Sequence, residues 1–470
     1  MAIPTENVSY KGLAWIAASA LFMQTLDSTI LNTALPAISA DMHESPLEMQ
    51  MAVISYALTV AALIPLSGWL ADKFGTLKIF RLAVVLFVLG SIGCAMSQTL
   101  EMLVLTRIFQ GVGGALMMPV ARLAIIRIVP KSELVATWNT MAMAGLIGPV
   151  LGPIVGGWLV TFASWHWIFL INIPMGILGI YISGKYMPNL TQKTEKFDFI
   201  GFLLFAFSLV SFTFGLELIG EDLNNSSRAL LIITAGLLLM AIYIFYAKRV
   251  INPILSLNLF KTRTFSIGMI ANLINRLCNS GVPFLVPLML QVSFGYRADL
   301  AGWLLAPIAV GAILAKSIVG KILMRLGYKY TLILGSLAMS VIIFTLGFVD
   351  KNTPMWLLAL ILFINGVCNS IIFTSINTLT IADLNDKEAS AGSTFLSAVQ
   401  QVGIGFGIAV ASVILALYRK SYGEQGEQLQ QAFSSTFFTV TIFGLLLVLF
   451  LLFLNKTDGD NLRSQKKRGK

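Results

Sequence analysis

Charge is what this sequence has least of. Asp, Glu, Lys and Arg together supply 11% of its 470 residues, less than half of the roughly 25% usual in soluble domains. That scarcity excludes a soluble globular protein, and a mean hydropathy of +0.84 agrees with it. Histidine is scarcer still. His43 and His166 are the only two, and neither is near another plausible metal ligand. Cys94, Cys278 and Cys368 sit in three different apolar stretches without metal-ligand spacing and read as small buried hydrophobes. No metal site and no cofactor is expected. A membrane-embedded enzyme would need clustered acids, bases or metal ligands, which this chain lacks, so catalysis is not expected either.

Long polar segments are missing as well. The longest, at 188–198 and 418–431, hold about ten to fourteen residues, whereas an independent domain needs roughly 50. There is no room for a nucleotide-hydrolysing domain and no G-x-x-x-x-G-K-[ST] loop. Gly320-Lys321 lacks both the upstream glycine and the following hydroxyl. ATP is therefore not the expected energy source.

What is present is membrane sequence almost from end to end. About fourteen apolar stretches of roughly 18–25 residues, each long enough to cross a bilayer as a helix, follow one another. The N-terminus does not read as a cleaved signal, because Lys11 is its only basic residue and the first apolar run continues past Ala20. The formal charge of +10 reads as an orientation signal and a contact for anionic lipid rather than a nucleic-acid site. Assigning alternate loops to one side gathers Lys73, Lys78, Arg127, Lys248, Arg249, Lys321, Arg325 and the tail Lys and Arg together, about three quarters of the 32 basic residues. That side is expected to be cytoplasmic, with both termini there.

The chain also repeats itself. Residues 68–78, GWLADKFGTLK, match 320–329, GKILMRLGYK, at an offset of about 250 residues. At nearly the same offset Gln110-Gly111 falls on Asn365-Gly366, and Gly148 and Gly152 fall near Gly403 and Gly407. Six short-looped helices need roughly 200 residues, so roughly 50 remain for two further spans between duplicated halves. The expected fold is an all-α integral membrane protein of two six-helix bundles with about two extra helices between them, about fourteen spans. The boundaries are 1–190, 191–254 and 255–455, with a basic tail at 456–470 and a pore between the bundles.

Charged residues inside spans are the strongest functional pointers, since Asp or Arg at a helix centre costs about 2.5–3.5 kcal/mol to insert. Asp27 lies in the first span among Gln24, Ser28 and Asn32, on a face that reads as a polar lining. Two roles are open for it, a carrier of protons or a permanently ionised structural partner. Arg107 of the fourth span either holds and releases Asp27 or orients Gln110 and a helix contact. Arg276, with Asn272 and Asn275, supplies polarity in the second half, and Glu217 reads as a mouth residue.

In the fifth span Gly145, Gly148, Gly152 and Gly156 form one small-residue stripe at helical spacing, with Pro149, Pro153 and Gly157 beside it. Another helix is expected to pack on that stripe at backbone contact, and the prolines to bend the helix. In the loop after the second span Gly68 is expected to permit close helix approach and Gly75 a tight turn, while Asp72 beside Lys73 suits a latch between the halves or a plain turn.

Together these motifs resemble the major facilitator superfamily, and within it the fourteen-span drug:proton antiporter branch. The resemblance covers nearly the whole chain. Residues 26–36, LDSTILNTALP, are similar to the branch's first-span signature, and 68–78 to the superfamily's loop motif. Residues 105–111, LTRIFQG, resemble the fourth-span motif associated with proton transfer, and 145–157 the fifth-span antiporter motif. In the similar segment 165–174, WHWIFLINIP, His166 stands where the branch usually has Arg.

The resemblance implies a monomeric inner-membrane exporter that exchanges protons for a drug or another amphipathic or cationic compound. Its cavity would be lined by Gln24, Asp27, Asn32, Arg107, Gln110 and Arg276, and its partners would be the substrate, protons and membrane lipid. An importer or facilitator on the same fold and a non-transporting partner subunit are the alternatives.

Overall fold

In a computed structural model the apolar stretches are helices, and residues 10–194, 196–221, 226–251 and 253–459 are described. The basic tail from Arg463 onward lies outside the described residues. The helices are α1 (Tyr10–Met42), α2 (Gln50–Phe74), α3 (Thr76–Ala95), α4 (Leu100–Ile128), α5 (Lys131–Phe162), the single turn α6 (Trp167–Leu170) and α7 (Asn172–Tyr186). They continue as α8 (Phe199–Glu221), α9 (Ser226–Ala247), α10 (Arg263–Asn279), α11 (Val282–Leu288), α12 (Ala298–Leu346), α13 (Met355–Ile381), α14 (Asp386–Tyr422) and α15 (Gly426–Leu451).

Twelve helical segments among the described residues are long and apolar enough to cross a membrane. Helix α1 is not among them, because Gln24, Thr25, Asp27, Asn32 and Thr33 dilute its middle. At 33 residues it still reaches roughly 50 Å, well beyond a hydrocarbon core of about 30 Å. Helix α12 has 49 residues, roughly 70 Å, which is two spans; they meet at Gly327, whose φ of 77° is not helical. Taking α12 as two spans and adding α1 makes the arrangement compatible with fourteen.

Gly327 and Gly75 are the repeat-related loop glycines, and both have positive φ, 77° and 101°. A side chain is disfavoured in that region, which explains why both copies of the loop keep glycine. Gly68 has a different environment. Among the described residues no neighbouring side chain or helix comes within 4 Å of where its Cβ would stand.

Two compact units divide the chain at Phe199, Met1–Phe199 and Ile200–Lys470. In the first, α1 packs chiefly on α5, and α4 packs on both α2 and α3. In the second, α10 packs on α14, and α13 packs on α12. The same helix pairings thus recur, as duplication requires. Helices α8 and α9 pair through small residues, since a Cβ on Gly215 would meet Ile233 and the Ala229 carbonyl, and one on Gly236 would meet Phe212. Glu217 is buried on α8 rather than open to solvent at a mouth.

Large apolar side chains such as Leu105, Ile177, Leu231 and Leu334 stay exposed, an ordinary exterior in lipid and an aggregating one in water. Inside, closeness is set by glycine. At Gly113 of α4 a Cβ would run into the Phe87 backbone nitrogen and the Ala83 carbonyl of α3, atoms that cannot rotate away. We expect Gly113→Leu to destabilise the protein by roughly 1–3 kcal/mol or more through overpacking, read as a lowered unfolding midpoint in detergent. An unchanged midpoint would mean that α3 and α4 are not held this closely.

Candidate functional site

Five helices of the first unit converge on Asp27. Its Oδ2 accepts from Arg107 Nη1 at 2.7 Å, and its Oδ1 accepts from Gln110 Nε2 at 2.8 Å and from Asn172 Nδ2 at 3.1 Å. Only donors face the carboxylate, as charge-assisted hydrogen bonding to an anion requires. Asp27 and Arg107 are each 1% exposed, so the pair is closed to solvent in this conformation. The lining expected on this face of α1 is here a dry network.

Arg107 is held by several groups at once. Its Nη1 also donates to Gln110 Oε1 at 2.6 Å, and its Nε donates to the Ala52 carbonyl of α2 at 3.0 Å. The ring of Tyr56, also on α2, lies 4.3 Å from the guanidinium carbon, a cation–π contact. Arg107 and Gln110 are one turn apart on α4, which lets a single glutamine amide accept from the arginine and donate to the aspartate. Ser91 of α3 closes the ring by accepting from Gln110 at 2.8 Å and from Asn172 at 3.1 Å, and it donates to the Phe87 carbonyl at 2.9 Å. A buried charge pair without such bonds would be costly.

Asn172, at the start of α7, was not singled out by the sequence. The signal for it was its place in the segment 165–174, a polar residue opening an apolar helix. Of the other expected residues, Gln24 reaches the Gly114 carbonyl at 3.5 Å, and Asn32 is buried with its Oδ1 unbonded. Arg276 is in the second unit, where its guanidinium faces the Phe373 ring. A recess lined by Asp41, Ser97, Gln98 and His166 lies at the far end of α1, roughly 20 Å along the helix from Asp27. There Trp165 donates to Asp41 at 3.0 Å, and His166 stacks on Trp165 with ring centroids 3.8 Å apart.

The face of α1 toward α5 is built differently. A Cβ on Gly148 would stand 3.0 Å from the Leu26 nitrogen, and one on Gly152 would stand 3.0 Å from the Ile30 nitrogen. The glycine stripe, from Gly145 against Leu21 to Gly156 against Thr33, is therefore a backbone-contact seam. Gly157 is also buried. Pro149 and Pro153 lie inside one continuous helix. Thr25, Thr29 and Thr33 point into the seam, and each hydroxyl donates to a carbonyl of α1 itself.

The loop between α2 and α3 is tied within its own unit. Asp72 pairs with Arg127 at the end of α4 at 2.6 Å, and Lys73 lies over the Trp69 ring at 4.5 Å. The chain after α7 braces the loop: Gln192 donates to the Asp72 carbonyl, and Thr76 donates to the Pro188 carbonyl. A Cβ on Gly75 would collide with Asn189.

A family model described as Major Facilitator Superfamily matches residues 17–271 and 268–470. The "Probable transport protein HsrA" of Haemophilus influenzae is 57% identical over 98% of this chain and 99% of its own. The "Putative multidrug resistance protein MdtD" of Salmonella typhi is 41% identical over 97% of each. Among solved structures, a D-xylose-proton symporter aligns with a TM-score of 0.68 at 15% identity over 96% of this chain and 99% of its own. A point mutant of the nucleoside transporter NupG aligns with a TM-score of 0.66 at 13% identity over 94% and 99%. At these identities the structural likeness is one of fold.

The geometry predicts an asymmetric double-mutant cycle. Arg107→Met alone leaves Asp27 buried without its cation and should destabilise by about 3–5 kcal/mol. Adding Asp27→Leu should restore most of that loss, measured by denaturant unfolding in detergent. Simple additivity of the two losses would show that the residues are not coupled.

Proposed function

This chain belongs to the Major Facilitator Superfamily, and on that footing we propose that it is a proton-coupled antiporter exporting amphipathic compounds. The protein is a transporter of small molecules and not an enzyme; coupling, direction and cargo are our reading. The observation that carries it is Asp27, an acid in mid-span, enclosed by a cation on one helix and amides on two. An ionisable residue inside a membrane span marks a functional site by default.

In the proposed cycle the closed network belongs to one conformation. Protonation of Asp27 removes the charge that Arg107 answers, the hold between α1, α4 and α7 loosens, and the population shifts toward a state that exposes the carrier to the other side. Arg107 is the electrostatic switch, because its guanidinium keeps its charge throughout. The seam between α1 and α5 keeps the first helix sealed along its other face. Drug export is supported by the name of the MdtD relative and by the resemblance of 145–157 to the antiporter motif. The preference for a cationic cargo rests on resemblance alone. The bacterial relatives and the basic loops favour the inner membrane, with both termini cytoplasmic, and a monomer is proposed.

The test is reconstitution of the purified protein in vesicles carrying an internal pH dye. Under an imposed pH gradient, ethidium, tetraphenylphosphonium and naphthoate are added in turn. Proton movement that depends on at least one compound, and is lost in Asp27→Asn of normal thermal midpoint, is expected. Compound-driven proton movement that persists in Asp27→Asn would remove Asp27 from the coupling role.

A further inference from the structure

The second unit holds a buried arginine treated in the opposite way from Arg107. Arg276 of α10 has no carboxylate within ion-pairing reach among the described residues, and its Nε is buried without a hydrogen-bond partner. Its guanidinium carbon lies 4.9 Å from the Phe373 ring of α13. α14 closes on its stem at Gly403, where a Cβ would stand 2.8 Å from Arg276 Cβ.

One turn before it on α10, Asn272 is 1% exposed and has an unbonded Oδ1. Its Nδ2 donates to Asn377 Oδ1 at 2.7 Å, which also accepts from Gln400 at 2.8 Å. These amides form a neutral polar shelf, each within one helical turn of Arg276, Phe373 or Gly403 on its own helix. Arg276, Phe373, Asn377 and Gln400 all keep partial exposure, so the cluster can be reached from outside the unit.

A guanidinium in a membrane-spanning segment needs an anion. Arg107 has one built into the chain; among the described residues Arg276 has none. The geometry points to a binding site for the acidic group of the cargo, with Arg276 as its cation, Phe373 as an apolar wall and the amides of Asn377 and Gln400 as further hydrogen-bonding groups. The ligand class is an amphipathic organic anion bearing a carboxylate, whose two oxygens match the guanidinium fork. This deepens the transport reading and rests on it, and it replaces cationic cargo with anionic cargo. An interior-negative membrane potential then drives both charge movements of the exchange, anion outward and proton inward.

The experiment is isothermal titration of the full-length protein in detergent with naphthoate, and with naphthylmethylammonium as the matched cation. Naphthoate is expected to bind at least tenfold more tightly than the cation. Arg276→Gln should weaken it at least tenfold, Arg276→Lys by less, and Phe373→Leu severalfold, each with a thermal midpoint near wild type. Absence of naphthoate binding to the wild type, preference for the cation, or undiminished binding in Arg276→Gln would each overturn the proposal. The lysine and leucine variants decide the matter if Arg276→Gln fails to fold: undiminished binding in both overturns it. The two readings fail separately: loss of naphthoate binding in Arg276→Gln together with proton movement that persists in Asp27→Asn would sink the coupling reading alone, whereas coupling through Asp27 with undiminished naphthoate binding in Arg276→Gln would sink the anion site alone.

Discussion

A carboxylate and a guanidinium 2.7 Å apart in the interior of a helical bundle constrain everything around them. Water cannot solvate either group, so their lone pairs and N–H groups must be answered by other helices. That is why α1, α2, α3, α4 and α7 each send a group to the same place. It also explains a division of labour in α1. One face carries the polar network, and another must be smooth enough for a helix to lie flat on it, which is where the glycines of α5 come in.

The sequence revealed the protein's exceptional residues better than its connections. Asp27, Arg107 and the glycine stripe were legible because each breaks the apolar pattern of its own helix. The repeat was legible because Gly75 and Gly327 meet the same backbone demand. Asn172 and Ser91 escaped notice because what makes them important is a contact with residues far away in the chain; Asn172 and Asp27 are 145 positions apart. The span count illustrates the same limit in reverse. A polar middle hides α1 from a hydropathy criterion, and a single glycine separates the two spans of α12. What surrounds Gly68 was not legible, because helix proximity is a property of the neighbour, which local sequence does not contain.

The halves keep a common packing scheme and part company in chemistry. Gln110 corresponds in the repeat to Asn365, which approaches Asn279 of α10 at 3.5 Å. At the same offset of 255 residues the position of Arg107 falls on the apolar Leu362. Charge in the second unit has moved instead to Arg276, on the same helix as Asn279. Duplication supplied two scaffolds, and they bury different charges: an ion pair in the first and a lone arginine among amides in the second.

The seam between α1 and α5 has a mechanical consequence. Thr25, Thr29 and Thr33 have satisfied their hydroxyls within their own helix, and the glycines facing them have no side chain to interlock. The contact of Gly148 and Gly152 with Thr25 and Thr29 is therefore largely dispersion between two close backbones. Such a surface can act as a bearing: where glycine faces threonine, one helix can shear along the other while contact area is conserved. Rigidity across the seam and freedom along it come from the same absence of side chains.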